Sequence, residues 1–163
     1  MTSSDETTGR VAAALARRGL ELPAPLVPNA TYVPVARSGS LLFVSGQLPF
    51  DADGNVIATG RLGDDVDFEL ARACAERCAL NLLAQLQAAV GDLDRVQLVK
   101  VQTFVASTPE FDRHHVVANG ASDLLVELLG ERGRHARSAF GVAALPFGGP
   151  VVVEAVAEEL PAA

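Results

Sequence analysis

Apolar positions along the chain switch between two periods, and the switches mark the elements. Val11, Ala14 and Leu15 recur at helical spacing, which predicts a short helix over Thr7–Arg18 stopped by Gly19. Residues 1–6 are polar and read as disordered. Pro23, Pro25 and Pro28 then interrupt regular structure. Two strands follow, Tyr32–Ala36 and Leu41–Gln47, joined at Ser38-Gly39-Ser40 as a hairpin. Ser45-Gly46 closes the second strand with a small hydroxyl and a bare backbone, where a ligand or another chain can approach closely. From Asp65 to Val90 the period becomes helical: Val66, Leu70, Ala73, Cys74, Cys78, Leu82 and Leu86 form a broad stripe, and Gly91 caps it.

Alternation returns in 94–106. Val99, Val101, Thr103 and Val105 are predicted to meet the helices, and Leu98, Lys100, Gln102 and Phe104 to face water or a polar interface. Ser107-Thr108-Pro109-Glu110 reads as one helix start and Asn119-Gly120 as a second, with a helix over 121–129 ended by Gly130. Strands at Arg137–Leu145 and Val151–Glu158 flank a Phe147-Gly148-Gly149-Pro150 turn and read as a second hairpin. This order predicts an α+β fold with two main helices on one face of the sheet. Three stretches are expected: an N-terminal arm (1–27), the main domain (28–160) and a tail (161–163).

Composition narrows the function. The chain has 163 residues, 49% hydrophobic and 20% charged, enough for one domain with a sizeable core. Its formal charge of −7 argues against nucleic acid and against an anionic membrane. No apolar run spans a bilayer and the start of the chain is polar and acidic, so a cytoplasmic location is the default expectation. Cys74 and Cys78, one helical turn apart, suit neither a disulfide nor a closed zinc site and read as buried small apolar residues. Asp51-Ala52-Asp53-Gly54-Asn55 lacks the later ligands of a calcium loop and reads as a plain turn. His114 and His115 point apart on a helix, make a poor metal pair and are placed on a solvated face. No metal or cofactor is expected.

The stretch from Arg134 to Pro146 holds the most chemistry. Arg137 enters an apolar strand, either as a solvated end residue or as a fork aimed at a carboxylate. Ala136-Arg137-Ser138 with Val142-Ala143 and Leu145-Pro146 resembles the signature of the RidA family, also called the YjgF or L-PSP endoribonuclease family. Thr31-Tyr32-Val33, Phe43 to Pro49, Val99-Lys100-Val101, Thr103-Phe104-Val105 and Val153 to Ala157 match the rest of that family's pattern in order. The longer arm and the segments Val117–Asp123 and Gly133–Arg137 point to a distinct branch.

The resemblance implies a chorismate-mutase-like fold, a mixed sheet of about six strands, and a homotrimer with small-molecule clefts between subunits. Some members hydrolyse enamines and imines derived from amino acids; others are described as ribonucleases or translation inhibitors. Position by position, Arg137 matches the arginine that grips a substrate carboxylate. Tyr32 and Ser45 match the cleft hydroxyls, and Gly46 the cleft-lining glycine. Asn119 matches the helix asparagine if one residue is inserted before Arg137. The acidic residue that handles water in deaminating members is replaced by Val152, which cannot accept a proton. Glu154 fills a structural role or, with a different turn register after Pro146, enters the cleft as a weak catalytic candidate; Glu158 is weaker still. The expected function is binding of a small carboxylate metabolite with possible hydrolase activity. Enamine/imine deamination and ribonuclease activity are the alternatives.

Overall fold

In the computed structural model, which describes residues 9–162, the elements are α1 (Arg10–Arg17), β1 (Val35–Ser38), β2 (Leu41–Gln47), α2 (Phe68–Val90), β3 (Val96–Ala106), α3 (His114–Leu129), β4 (Ala136–Val142) and β5 (Val151–Glu159). The expectation for residues 1–6 lies outside the described residues. The sheet runs β1-β2-β5-β3-β4, antiparallel except for β3–β4. A parallel pair needs a crossover, and α3 supplies it. The sheet therefore has five strands, not about six. Between β2 and α2 the chain makes only isolated bridges, such as Phe50 with Val56 and Leu62 with Ser107. The second hairpin is also corrected: β5 lies between β2 and β3, and β4 takes the sheet edge.

Helix α2 begins where Asp67 accepts a hydrogen bond from the Leu70 N–H at 2.8 Å, and ends at Gly91 with φ of 82°. Its stripe of Ala71, Cys74, Ala75, Cys78 and Ala79 is fully buried. Burial pushes the Cys74 thiol up to about 11, in keeping with an inert packing role. Asn119-Gly120 does not start a helix; it sits inside α3. A Cβ at Gly120 would lie 2.6 Å from the Arg72 carbonyl oxygen, so the glycine sets how closely α2 and α3 pack. The arm packs on the domain: the Asp94 carboxylate accepts from the Arg10 N–H at 2.6 Å, and Val11, Ala14 and Leu15 are buried.

One phase error in the sequence pattern has a clear cause. Leu98 pairs with Ala157 while Lys100 pairs with Val156, so Val99 is an extra residue in β3. The bulge reverses the alternation before it. Leu98 is buried and Val99 is 41% exposed, whereas Val101, Thr103 and Val105 face the helices as predicted. No helix among the described residues is long and apolar enough to cross a membrane.

Candidate functional site

Arg137 is the second residue of the edge strand β4, in register with Val101, so its side chain leaves on the helix side of the sheet. There its Nη1 donates to Asn119 Oδ1 at 2.7 Å and to Ser122 Oγ at 3.3 Å, two residues one turn apart on α3. Asn119 and Arg137 are thus in direct hydrogen-bond contact. Ser122 Oγ also lies 2.9 Å from His135 Nε2, and His135 Nδ1 lies 2.6 Å from the Gly133 carbonyl oxygen. Burial, with the Arg137 charge beside it, holds the His135 imidazole below its ordinary pKa against the opposing pull of the Gly133 carbonyl. Three polar side chains and a carbonyl are thus linked around an exposed guanidinium.

The other predicted residues lie elsewhere. Tyr32 and Gly46 line a cleft of about 280 Å³ with Leu48, Phe50 and Phe147. Buried Gln85 supports one wall by donating to the Leu26 carbonyl at 2.7 Å, and Asn81 supports another through the Leu48 carbonyl at 2.9 Å. Phe147 adopts φ of 58°, a costly conformation for a bulky residue, and its ring meets Phe50 edge-on at 5.5 Å. Ser45 points to the opposite, open face of the sheet, beside Lys100, Gln102 and Glu154, with its hydroxyl donating to the Val33 carbonyl at 2.7 Å. An extra residue in β2 between Val44 and Gln47 bends the strand at this point. Gly46 is tight for a local reason: a Cβ there would lie 2.8 Å from Val152 Cγ1.

The sequence profile described as "YjgF/chorismate_mutase-like, putative endoribonuclease" matches residues 11–159. The chain belongs to this family. It is 50% identical to the protein TCP17 of Trypanosoma cruzi over 153 residues, 93% of this chain and 95% of that one. The crystal structure of Atu1372 from Agrobacterium tumefaciens is 47% identical with a TM-score of 0.85, covering 92% of this chain and 94% of that chain. The structure of RidA from a Psychrobacter species is 30% identical with a TM-score of 0.58, covering 85% and 95%.

β4 and β2 are three strand spacings apart, about 14 Å, so Arg137 and Tyr32 do not share a cleft within the chain. Glu154 pairs with Gln102 on the open face and is separated from Arg137 by the sheet. His114 is not on a solvated face: it lies against Phe111 and 2.9 Å from Ser107 Oγ, and a Cβ at Gly141 would collide with its ring. Sequence reasoning also missed Ser122, His135 and Phe147 as site residues. The i, i+3 spacing of Asn119 and Ser122 was a signal available for the first. A histidine two residues before Arg137 was a signal for the second, since alternate residues of an extended segment share a side.

Proposed function

We propose that this protein binds a small carboxylate-bearing metabolite on Arg137, in a cleft completed by a neighbouring copy in a homotrimer. The supporting observation is the state of the guanidinium. Acids outnumber bases 20 to 13 in this chain, and eight other arginines contact carboxylates. Arg137 contacts only neutral oxygens among the described residues. Held on one side by Asn119 and Ser122, it keeps donors for a bidentate carboxylate. The neighbour would supply the Tyr32 and Gly46 side of the cleft. Phe43, Phe104, Phe140 and Val156 on the open sheet face offer an apolar surface for that assembly. Light scattering should give a trimer at micromolar concentration; a monomer would contradict this assembly.

Calorimetry with 2-oxobutyrate on the wild type and on Arg137→Lys tests the ligand. Lysine keeps the charge and loses the fork, so affinity should drop roughly ten- to a hundredfold, the value of a charge-assisted pair of about 1.5–3 kcal/mol. Equal binding to both would refute the assignment. A second reading, hydrolysis of imines of 2-keto acids, is favoured by the hydroxyl–imidazole pair beside Arg137. Ribonuclease activity fits poorly with a charge of −7.

A further inference from the structure

We propose that Ser122 and His135 form a proton-transfer pair serving an imine whose carboxylate is anchored on Arg137. The proposal rests on the carboxylate reading of Arg137 given above. Its warrant is that each link of the network has one possible direction. A carbonyl oxygen only accepts, so His135 Nδ1, at 2.6 Å from the Gly133 oxygen, carries the proton. The imidazole is held below its ordinary value, so it is neutral near pH 7 and Nε2 presents a lone pair. Ser122 Oγ, 2.9 Å away, must donate to that lone pair. The serine oxygen in turn accepts from Arg137 Nη1 at 3.3 Å. A hydroxyl backed by a neutral histidine, itself oriented by an acceptor, is an arrangement that moves protons.

Two further features show how the pair is built. Gly133 is buried, and a Cβ there would collide with the α3 backbone, 2.8 Å from Val126 Cα, so only glycine lets its carbonyl sit behind the imidazole. The network also opens outward, because Arg137 is exposed at the sheet edge. The charged groups around the imidazole are Arg137 on β4, the Arg134–Glu131 pair in the preceding turn, the Arg72–Asp123 pair across α2 and α3, and Lys100 in register with Ala136. Of these, Arg137 is the one whose charge adds to burial in lowering the pKa.

The chemistry balances without a cofactor. The water oxygen bonds to the imine carbon as the C=N π pair moves to nitrogen. One water proton passes to Ser122 Oγ while the serine proton passes to His135 Nε2, and the same relay returns a proton to nitrogen, giving the carbinolamine. In the second step the carbinolamine O–H proton travels by the same route to nitrogen. The C–N bond breaks with its pair on nitrogen, and ammonia and the 2-keto acid leave.

The test generates the imine of a simple amino acid with an amino-acid oxidase and follows its decay with wild type, His135→Gln, Ser122→Ala and Arg137→Lys. Glutamine can still accept from Ser122 but cannot take up a proton. The expected result is a loss of about a hundredfold or more in His135→Gln and Ser122→Ala, the range of general acid–base catalysis, with 2-oxobutyrate binding retained in His135→Gln. The wild-type kcat/KM should fall only below pH 6.5, the ordinary histidine value, and this limb should vanish in His135→Gln. Full activity in His135→Gln, or no acceleration by the wild type, overturns the proton-transfer pair. Unchanged 2-oxobutyrate binding in Arg137→Lys instead overturns the anchor. Should a variant fail to fold, nitrogen NMR of the wild type decides: a neutral Nδ1–H tautomer at pH 7 supports the pair, and an imidazolium overturns it.

Discussion

The two halves of the candidate site are built on different principles. Around Arg137, each polar atom is oriented by another, and the parts come from α3, β4 and the turn between them. Around Tyr32 the surface is mostly apolar, formed by loops, and includes a backbone conformation that a phenylalanine resists. The first half supplies charge and protons from one short segment of sequence. The second supplies shape, and its aromatic groups remain uncovered in a single chain: Phe147 is 73% exposed and Tyr32 58%. The two lie three strand spacings apart in the chain, so the proposed cleft would need a neighbouring copy to join them.

The largest expected effect breaks the polar half alone. Gly133→Ala places a methyl group against the α3 backbone, where neither side yields easily. It should cost roughly 2–3 kcal/mol as an overpacking change, lowering Tm by about 5–10 °C, and it should move His135. The apolar cleft should be unaffected, so a fluorescence probe bound near Tyr32 should report no change below the new Tm.

Phe147→Asn acts on the apolar half with the opposite sign. Asparagine tolerates positive φ, so the change releases strain of about 1–3 kcal/mol at a side chain that is mostly in solvent. Tm should rise by a few degrees while 2-oxobutyrate affinity falls, as expected for a strained functional residue. A fall in both would show that Phe147 is held there for stability.

Gly46→Ala sharpens the comparison at the boundary. Its Cβ would press on Val152 Cγ1, a branched side chain with limited freedom. A loss of about 1 kcal/mol is expected, recovered in the Gly46→Ala/Val152→Ala double variant. A double-mutant cycle with no coupling would mean that Gly46 serves the cleft and not the packing.

The smallest effect lies outside both halves. Glu159 receives Arg37 and Arg95, with Arg95 Nη2 at 2.6 Å, and the hydrogen bond from Arg37 is the main cause of its lowered pKa. A carboxyl with a lowered folded-state pKa adds stability above its unfolded value, near 4.5, and loses it as pH falls through the folded value. Wild type should therefore exceed Glu159→Gln in stability at pH 6 by more than at pH 3, with ligand binding equal in the two. His135 has the same sign for a different reason: a buried imidazole that resists protonation weakens the fold in acid as pH falls below 6.5.

These contrasts also explain what the sequence made legible. The stripe of α2, its C-terminal cap Gly91 and the β1–β2 hairpin were readable because each is local, and Gly39 takes φ of 60° at the turn as the hairpin requires. The phase of β3 was not, because a bulge leaves no mark in an alternation that stays apolar on both sides of it. The placement of β5 inside the sheet was hidden by the short link from β4, which suggested a hairpin. Asn119-Gly120 looked like a helix start, yet the glycine answers to α2 across the interface and the asparagine to Arg137. Within the site, Arg137, Asn119, Tyr32 and Gly46 came from the family pattern. Ser122 and His135 each left a spacing signal, but a hydroxyl and an imidazole 13 residues apart acquire meaning as a pair only when the turn through Gly133 folds them together.

The central claim is that Arg137 is the carboxylate anchor of a cleft shared between copies. A crystal structure soaked with 2-oxobutyrate tests it most directly. The expected result is a carboxylate within about 3 Å of the Arg137 guanidinium in bidentate contact, with Tyr32 of a neighbouring copy on its other side. A trimer saturated with ligand at any other place, or an Arg137 that stays unliganded while calorimetry shows binding, would contradict it.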